Sequence, residues 1–164
     1  MKTLYAKAVL YSYSNLERLC DAIDEQVEQR ALSSIDDYTP AIEQYEKILS
    51  CTAQKDLIID LKATVNLILD KMSEEERSFI VYKYFKKQQC ADNDKAEFKT
   101  RNYYRKQVRL AERFARWLAI YGIDDEYFER NYLQIDFFKQ LIRKVEEHEV
   151  QCLKNARSSR KKVA

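Results

Sequence analysis

Residues 73–85 read SEEERSFIVYKYF, and residues 100–122 read TRNYYRKQVRLAERFARWLAIYG. The first stretch opens with Ser73 three residues before Glu76, the spacing at which two side chains satisfy the free backbone amides of a helix start. The second stretch ends at Gly122, and glycine readily takes the left-handed conformation that closes a helix. The two stretches therefore predict two helices joined by a polar link.

The second predicted helix, which starts at Thr100, has a row of arginines along one side. The row consists of Arg101, Arg105, Arg109 and Arg113. Because four residues turn a helix by about 400°, the row drifts by only about 40° per step and stays on one side. The residues expected to pack are Tyr104, Val108, Ala111, Ala115 and Leu118, widened by Leu110, Phe114, Trp117 and Tyr121.

Charge accumulates around this helix. Residues 82–116 hold eleven Lys or Arg against four Asp or Glu, a net charge of +7. Residues 1–76 hold eight against 15, a net charge of −7, and the remainder of the chain holds 21 against 12, a net charge of +9. The basic part is typical of a surface that attracts phosphate groups, although a solvated charged face has the same pattern.

Composition predicts an all-α fold. The chain has one glycine, Gly122, and one proline, Pro40. A sheet protein needs such residues at its corners, so helices are favoured throughout. The same scarcity excludes the glycine-rich loops that hold nucleotides.

The segments before residue 73 are also predicted to be helical. Apolar residues recur helically from Leu4 to Ala31, with an interruption at Ser14 that would allow two helices. Thr39 would cap a long helix with Pro40 in its first turn. Its expected buried stripe is Ile42, Tyr45, Leu49, Ala53, Leu57, Leu61, Val65, Ile68 and Met72.

We expect four regions. A long antiparallel helical hairpin over residues 1–72 would pack against a degenerate helix-turn-helix over 73–122 and against C-terminal helices over 123–154. A disordered basic tail would occupy residues 155–164, which contain no acid and little to bury. Whether residues 88–99 form a helix is left open.

The strings LDKMSEEERSFIVYKYF and TRNYYRKQVRLAERFARWL resemble the C-terminal helix-turn-helix of bacterial sigma factors, and they are still more similar to ArpU-type phage and Firmicute transcriptional regulators. The likeness covers about a third of the chain. It implies a DNA-binding regulator whose recognition helix starts at Thr100. In the interval before that helix the chain has Asn93, Asp94, Glu97 and Phe98 where the family has aliphatic and small residues.

The DNA-binding hypothesis assigns roles to ten residues. Arg101, Asn102, Arg105 and Lys106 would face the bases, since arginine grips guanine and asparagine grips adenine through paired hydrogen bonds. Lys83, Lys86, Lys87, Lys99 and Arg109 would hold phosphates, and Arg113 completes the arginine row.

Other functions find less support in the sequence. No nucleophile, base and orienting group can be assembled, and the single histidine, His148, stands among glutamates, so no enzyme is expected. The four cysteines lack the spacing of a zinc site, and neither metal nor cofactor is predicted. Lys7 interrupts the first apolar stretch, and no run reaches the roughly 18 apolar residues of a membrane span, so we expect a cytoplasmic protein without a membrane partner.

Double-stranded DNA is the expected partner. RNA polymerase or a second copy of the chain, bound through the N-terminal hairpin, are further candidates, because Tyr5, Tyr11, Tyr13, Tyr38 and Tyr45 exceed what a two-helix seam requires. These tyrosines would otherwise pack onto the helix that carries Phe137 and Phe138. The alternative function is a helical protein–protein interaction module that does not bind nucleic acid.

Overall fold

A computed structural model describes residues 1–33, 40–85 and 101–161, with side chains for 1–32, 40–85 and 103–151. Every element in these ranges is a helix, so the predicted all-α class is confirmed. The helices are α1 Thr3–Ser12, α2 Leu16–Ser33, α3 Ala41–Lys71, α4 Glu74–Ile80, α5 Arg101–Ile120, α6 Asp125–Asn131 and α7 Asp136–Lys161. A 3-10 turn, Tyr13–Asn15, separates α1 from α2, and a π-helical turn, Val81–Phe85, continues α4.

The chain forms two compact units. One unit is Tyr13–Glu74, which we call the hairpin unit, and the other combines Met1–Ser12 with Glu75–Ala164, which we call the basic unit. These limits differ from the predicted boundary at residue 72, because α1 does not belong with α2 and α3. Its side chains Ala6, Ala8, Val9 and Leu10 are completely buried, and the helix packs on α5 and α7.

In the hairpin unit, α2 and α3 run antiparallel with a regular register. The bonded pairs are Tyr13 with Asn66, Glu17 with Lys62, and Asp24 with Lys55. From Tyr13 to Glu17 and on to Asp24 the position advances by four and then seven residues, while the partner on α3 moves back by four and then seven. Steps of four and seven residues return to the same side of a helix, so these pairs follow one edge of the seam.

The buried side of α3 corrects the predicted stripe. Leu61, Val65, Ile68 and Met72 are buried as predicted, but the first residues of the stripe face solvent. Ile42 is 73% exposed, Tyr45 is 62% exposed and Leu49 is 49% exposed. From Tyr45 to Val65 the predicted stripe advances in five steps of four residues, which together displace it by about 200° around the helix, so Tyr45 falls on the side opposite to Val65.

The true buried side at the start of α3 passes through Gln44 and continues to Ile58. The helix also starts one residue later than expected. Pro40 has φ −53° and ψ 131°, which places it before the first helical residue, Ala41, rather than in the first turn. Thr39 and Tyr38 lie outside the described residues.

In the basic unit, an aromatic cluster fixes α1, α6 and α7 together. The ring of Tyr5 stacks on Phe128 with 4.8 Å between ring centroids. Phe128 in turn contacts Tyr132 and Phe138, with ring centroids 5.2 Å and 5.9 Å away. All four side chains are buried, so Tyr5 belongs to a core.

The end of α5 follows the prediction from Gly122. Its φ is +87°, and the amide of Gly122 bonds to the carbonyl of Ala119 while the amide of Ile123 bonds to that of Leu118. This pair of bonds is the Schellman arrangement, and Ile123 and Leu118 are both buried beneath it. Asp124 then caps α6, accepting a hydrogen bond from the amide of Tyr127 at 2.8 Å.

Helix α7 corrects the prediction of a disordered tail. It continues to Lys161, through most of the segment 155–164. No glycine or proline follows Gly122, and the segment consists largely of residues that tolerate a helix, so nothing in it ends α7 earlier. Residues 162–164 lie outside the described part.

Candidate nucleic-acid interface

Helix α5 has a buried side and a charged side. Leu110, Ala111, Phe114, Ala115 and Leu118 are buried, as predicted, and α5 packs on α1. On the opposite side α5 presents Arg105, Arg109, Arg113 and Arg116 to solvent. The core therefore anchors the second half of the helix, from Leu110 onward, while the opposite face stays accessible.

Two predicted packing residues of α5 are exposed instead. Tyr104 is 61% exposed and Val108 is 47% exposed. Tyr103, seven residues before Leu110, shares the side of Leu110 and is half-buried. Tyr104 shares the side of the buried Ala111, seven residues further on, but it lies before the first buried residue of α5, Leu110, so its exposure reflects where the core begins along the helix.

The middle of the arginine row is open. Arg105 and Arg109 are exposed and one helical turn apart, and neither has an acidic partner among the described residues. Of Arg101 and Asn102 the structure describes only the helical backbone. Among the described residues, Arg105 and Arg109 form no ion pair.

Two other cations contact the first turn of α4. Arg113 Nη1 donates to Glu76 Oε1 at 2.6 Å. Lys106 Nζ lies 3.8 Å from Glu75 Oε2 and 5.7 Å from the ring centroid of Phe79. Solvent-accessible ion pairs of this kind contribute about 0.2–1 kcal/mol each, so their main effect is to orient the side chains and reduce their charge.

These side chains line one groove along α5. Its lining residues are Glu76, Arg105, Lys106, Arg109, Leu110, Glu112, Arg113 and Arg116. Five cations therefore face two carboxylates. A groove with such an excess of one sign concentrates potential and attracts anions.

The other predicted phosphate ligands are placed only in part. Lys83 lies in the π-helical turn after α4, with its ammonium 5.9 Å from the ring centroid of Tyr103. Tyr103 also contacts Phe79, at 5.1 Å between ring centroids, and burial raises the pKa of its hydroxyl. Lys86, Lys87 and Lys99 lie outside the described residues, as does the link 88–99.

The tyrosines at the start of the chain have different surroundings. Tyr5 is in the aromatic core, Tyr11 meets Tyr84 edge to face at 4.7 Å between ring centroids, and Tyr13 donates to Asn66. Burial is also the main cause that raises the pKa of Tyr84. Tyr45 is exposed on α3, so of the described tyrosines in this group it is the one best placed to meet a partner.

The sequence pattern predicts the arginine row but misses two features of the interface. Glu76 enters the sequence prediction only as part of a helix start, yet Glu75 and Glu76 contact cations of α5. The sequence pattern also misses the exposure of Tyr104 and Val108.

The described residues show neither a metal site nor a membrane span. Within the described ranges, no three His, Cys, Asp or Glu side chains are grouped so that they could hold a metal ion. His148 is exposed on α7. In the part of the chain that the structure covers, no helix combines the length and apolar character that crossing a bilayer requires.

Comparison of the chain with protein families, with curated proteins and with solved structures finds no match.

Proposed function

We propose that the chain binds double-stranded DNA through the exposed side of α5 and acts as a transcriptional regulator of the sigma-like phage type. The observation that carries the proposal is the pair Arg105 and Arg109, exposed one turn apart without an acidic partner among the described residues. With 20 residues, α5 is about 30 Å long. The major groove of B-form DNA is wide enough to admit an α-helix.

Roles within the helix follow from position. Arg101, Asn102, Arg105 and Lys106 lie in the first two turns, which in a recognition helix meet base edges. Arg109 lies one turn further along and would meet phosphate, together with Lys83, Lys86, Lys87 and Lys99. Arg113 would contribute less to DNA binding than its charge suggests, because Glu76 already accepts a hydrogen bond from it.

The regulatory part of the proposal rests on the resemblance to sigma-factor and ArpU-type regulators over residues 69–118. In that setting RNA polymerase, or a second copy bound through the hairpin unit, is the expected protein partner. The DNA-binding part stands independently, because it depends on the charge and exposure of α5 alone.

Fluorescence anisotropy with labelled duplexes from the neighbouring genome tests the proposal. Arg105→Ala combined with Arg109→Ala should weaken binding and flatten the slope of log K against log salt by about 0.9 for each phosphate that the variant no longer neutralises. The double variant Arg130→Ala with Arg143→Ala is the matched control, because both arginines are exposed in the basic unit and pair within their own helices. Absence of duplex binding at about 50 mM salt, or equal weakening in the two double variants, would refute the proposal.

A protein-interaction module is the second candidate, favoured by the exposed stripe Ile42, Tyr45 and Leu49 on α3. Residues 13–74 hold six Lys or Arg against 13 Asp or Glu, a net charge of −7, so a partner with a basic apolar surface is expected. Light scattering of the purified chain tests the version in which that partner is a second copy. A dimer that becomes monomeric on Tyr45→Ala supports this version, and a monomer at high concentration excludes it.

A further inference from the structure

We infer that Tyr104 and Val108 contact the 5-methyl groups of thymine in the major groove and so give α5 a preference for A·T base pairs. This inference rests on the proposed DNA binding and deepens it. The cationic groove accounts for affinity to any duplex, whereas the apolar pair would distinguish one duplex from another.

The two side chains form a row parallel to the open arginines. Tyr104 and Val108 are one turn apart, as are Arg105 and Arg109, and each apolar residue immediately precedes an arginine. Consecutive residues are separated by about 100° around the helix, so both rows occupy the same exposed half of α5. A duplex that meets the arginines would also meet the apolar row.

The environment of Tyr104 holds it in place without covering it. Its ring meets the ring of Tyr103 edge to face, with 5.8 Å between centroids. Tyr103 is itself packed against Phe79 of α4. The Tyr104 ring is thus supported on one side from the core while more than half of its surface is exposed.

The chemistry of the groove determines which base suits such a row. Thymine is the base that presents a methyl group in the major groove, and apolar side chains contact it there. Cytosine presents an amino donor instead, which an apolar side chain would bury without a hydrogen-bond partner. Single exposed apolar residues are common on any surface, but here two of them flank the cations that would bring DNA to them.

Removal of the methyl group alone tests the inference. The probes are a duplex of about 20 base pairs of alternating A·T sequence and the same duplex with deoxyuridine in place of every thymine. We expect the native chain to bind the deoxyuridine duplex at least about threefold more weakly, close to the effect of one buried methyl group. In the reciprocal experiment, 5-methylcytosine in an alternating G·C duplex should strengthen binding.

Two variants show which side chains of α5 are responsible for the difference between the thymine and deoxyuridine duplexes. Tyr104→Ala combined with Val108→Ala should abolish the difference between the thymine and deoxyuridine duplexes, and circular dichroism should show an unchanged helix content because alanine favours helices. Arg105→Ala should weaken binding to both duplexes and leave their ratio intact.

The possible results separate a failure of the thymine-methyl inference from a failure of the proposed DNA binding. Equal binding of the native chain to the thymine and deoxyuridine duplexes overturns the inference while DNA binding stands. A ratio that persists in the Tyr104 and Val108 double variant overturns it too, since the methyl group would then be read elsewhere. Absence of binding to every duplex overturns the proposed function, and the inference with it.

Discussion

The guanidinium of Arg113 donates to the carboxylate of Glu76 across 2.6 Å, joining the middle of α5 to the first turn of α4. The bond serves packing and at the same time withdraws one positive charge from the groove. Glu76 is largely shielded, with 17% of its side chain exposed, whereas Arg113 keeps 44%. Under the proposed function, the carboxylate occupies a hydrogen-bonding position at Arg113 that a phosphate oxygen would otherwise take.

Glu76→Gln should strengthen duplex binding severalfold, because it removes a negative charge from the groove and leaves Arg113 with only a neutral hydrogen-bond acceptor. The melting temperature should fall only slightly, in line with about 1 kcal/mol or less for a solvent-accessible pair. Anisotropy and thermal unfolding measure the two effects. Glu112→Gln is the control, since it also lines the groove. Weaker binding in Glu76→Gln than in Glu112→Gln would show that the pair positions Arg113 for DNA instead of competing with it.

Two adjacent isoleucines of α3 should differ sharply in their contribution to stability. Ile58 is fully buried, and Ile59 is 47% exposed. Ile58→Ala should lower the free energy of unfolding by about 2–5 kcal/mol, since it leaves a cavity in the hairpin unit. Ile59→Ala should change it by about 0.5 kcal/mol or less. Urea denaturation followed by circular dichroism gives both values, and similar decreases would contradict the described register of α3.

Gly122→Ala should destabilise the basic unit through backbone strain alone. A Cβ at this position would meet no atom within 4 Å, but φ is +87°. The left-handed conformation costs an alanine about 1–2 kcal/mol, and chemical denaturation should show a decrease of that size. Gly122→Asn should cost less, because asparagine tolerates this conformation better. Equal decreases for alanine and asparagine would indicate a steric cause.

Acidification should remove a contribution from Glu129. Hydrogen bonds from Lys2, and then from Tyr5, hold the pKa of Glu129 below its ordinary value of 4.5. A carboxyl group with a lowered pKa in the folded state stabilises that state above its unfolded pKa, and the effect disappears as pH falls through the folded pKa. The native chain should therefore be more stable than Glu129→Gln at neutral pH, and the two should converge as pH falls below 4.5. Urea midpoints measured against pH give the comparison, and a constant difference would exclude this origin.

The sequence predicted the features that depend on local chemistry. Scarce glycine and proline predicted helices, Ser73 stands directly before α4, and Gly122 ends α5 as expected. The open arginines Arg105 and Arg109 followed from a spacing of four residues. Each of these depends on neighbours within about one turn of the chain.

Features that depend on distant contacts were not predictable. The exposed start of α3 arises because a stripe of three and four spacings can drift around a helix, and only the packing partner decides which part of it is buried. Tyr104 is exposed because the buried part of α5 begins at Leu110. The pairing of Glu76 with Arg113 likewise required knowledge of the neighbouring element. The extension of α7 to Lys161, in contrast, follows from the lack of a helix-ending residue in the segment itself.

Because the bonded residues of α2 and α3 recur in matched steps, equivalent contacts repeat along the hairpin unit. Removal of about seven residues from both α2 and α3 would shorten the hairpin unit by about 10 Å and bring equivalent faces of the two helices back into contact. A deletion in one helix alone would shift Glu17 and Asp24 away from their lysines. The hairpin unit can therefore change length in units of two helical turns, provided that α2 and α3 change by the same number of residues.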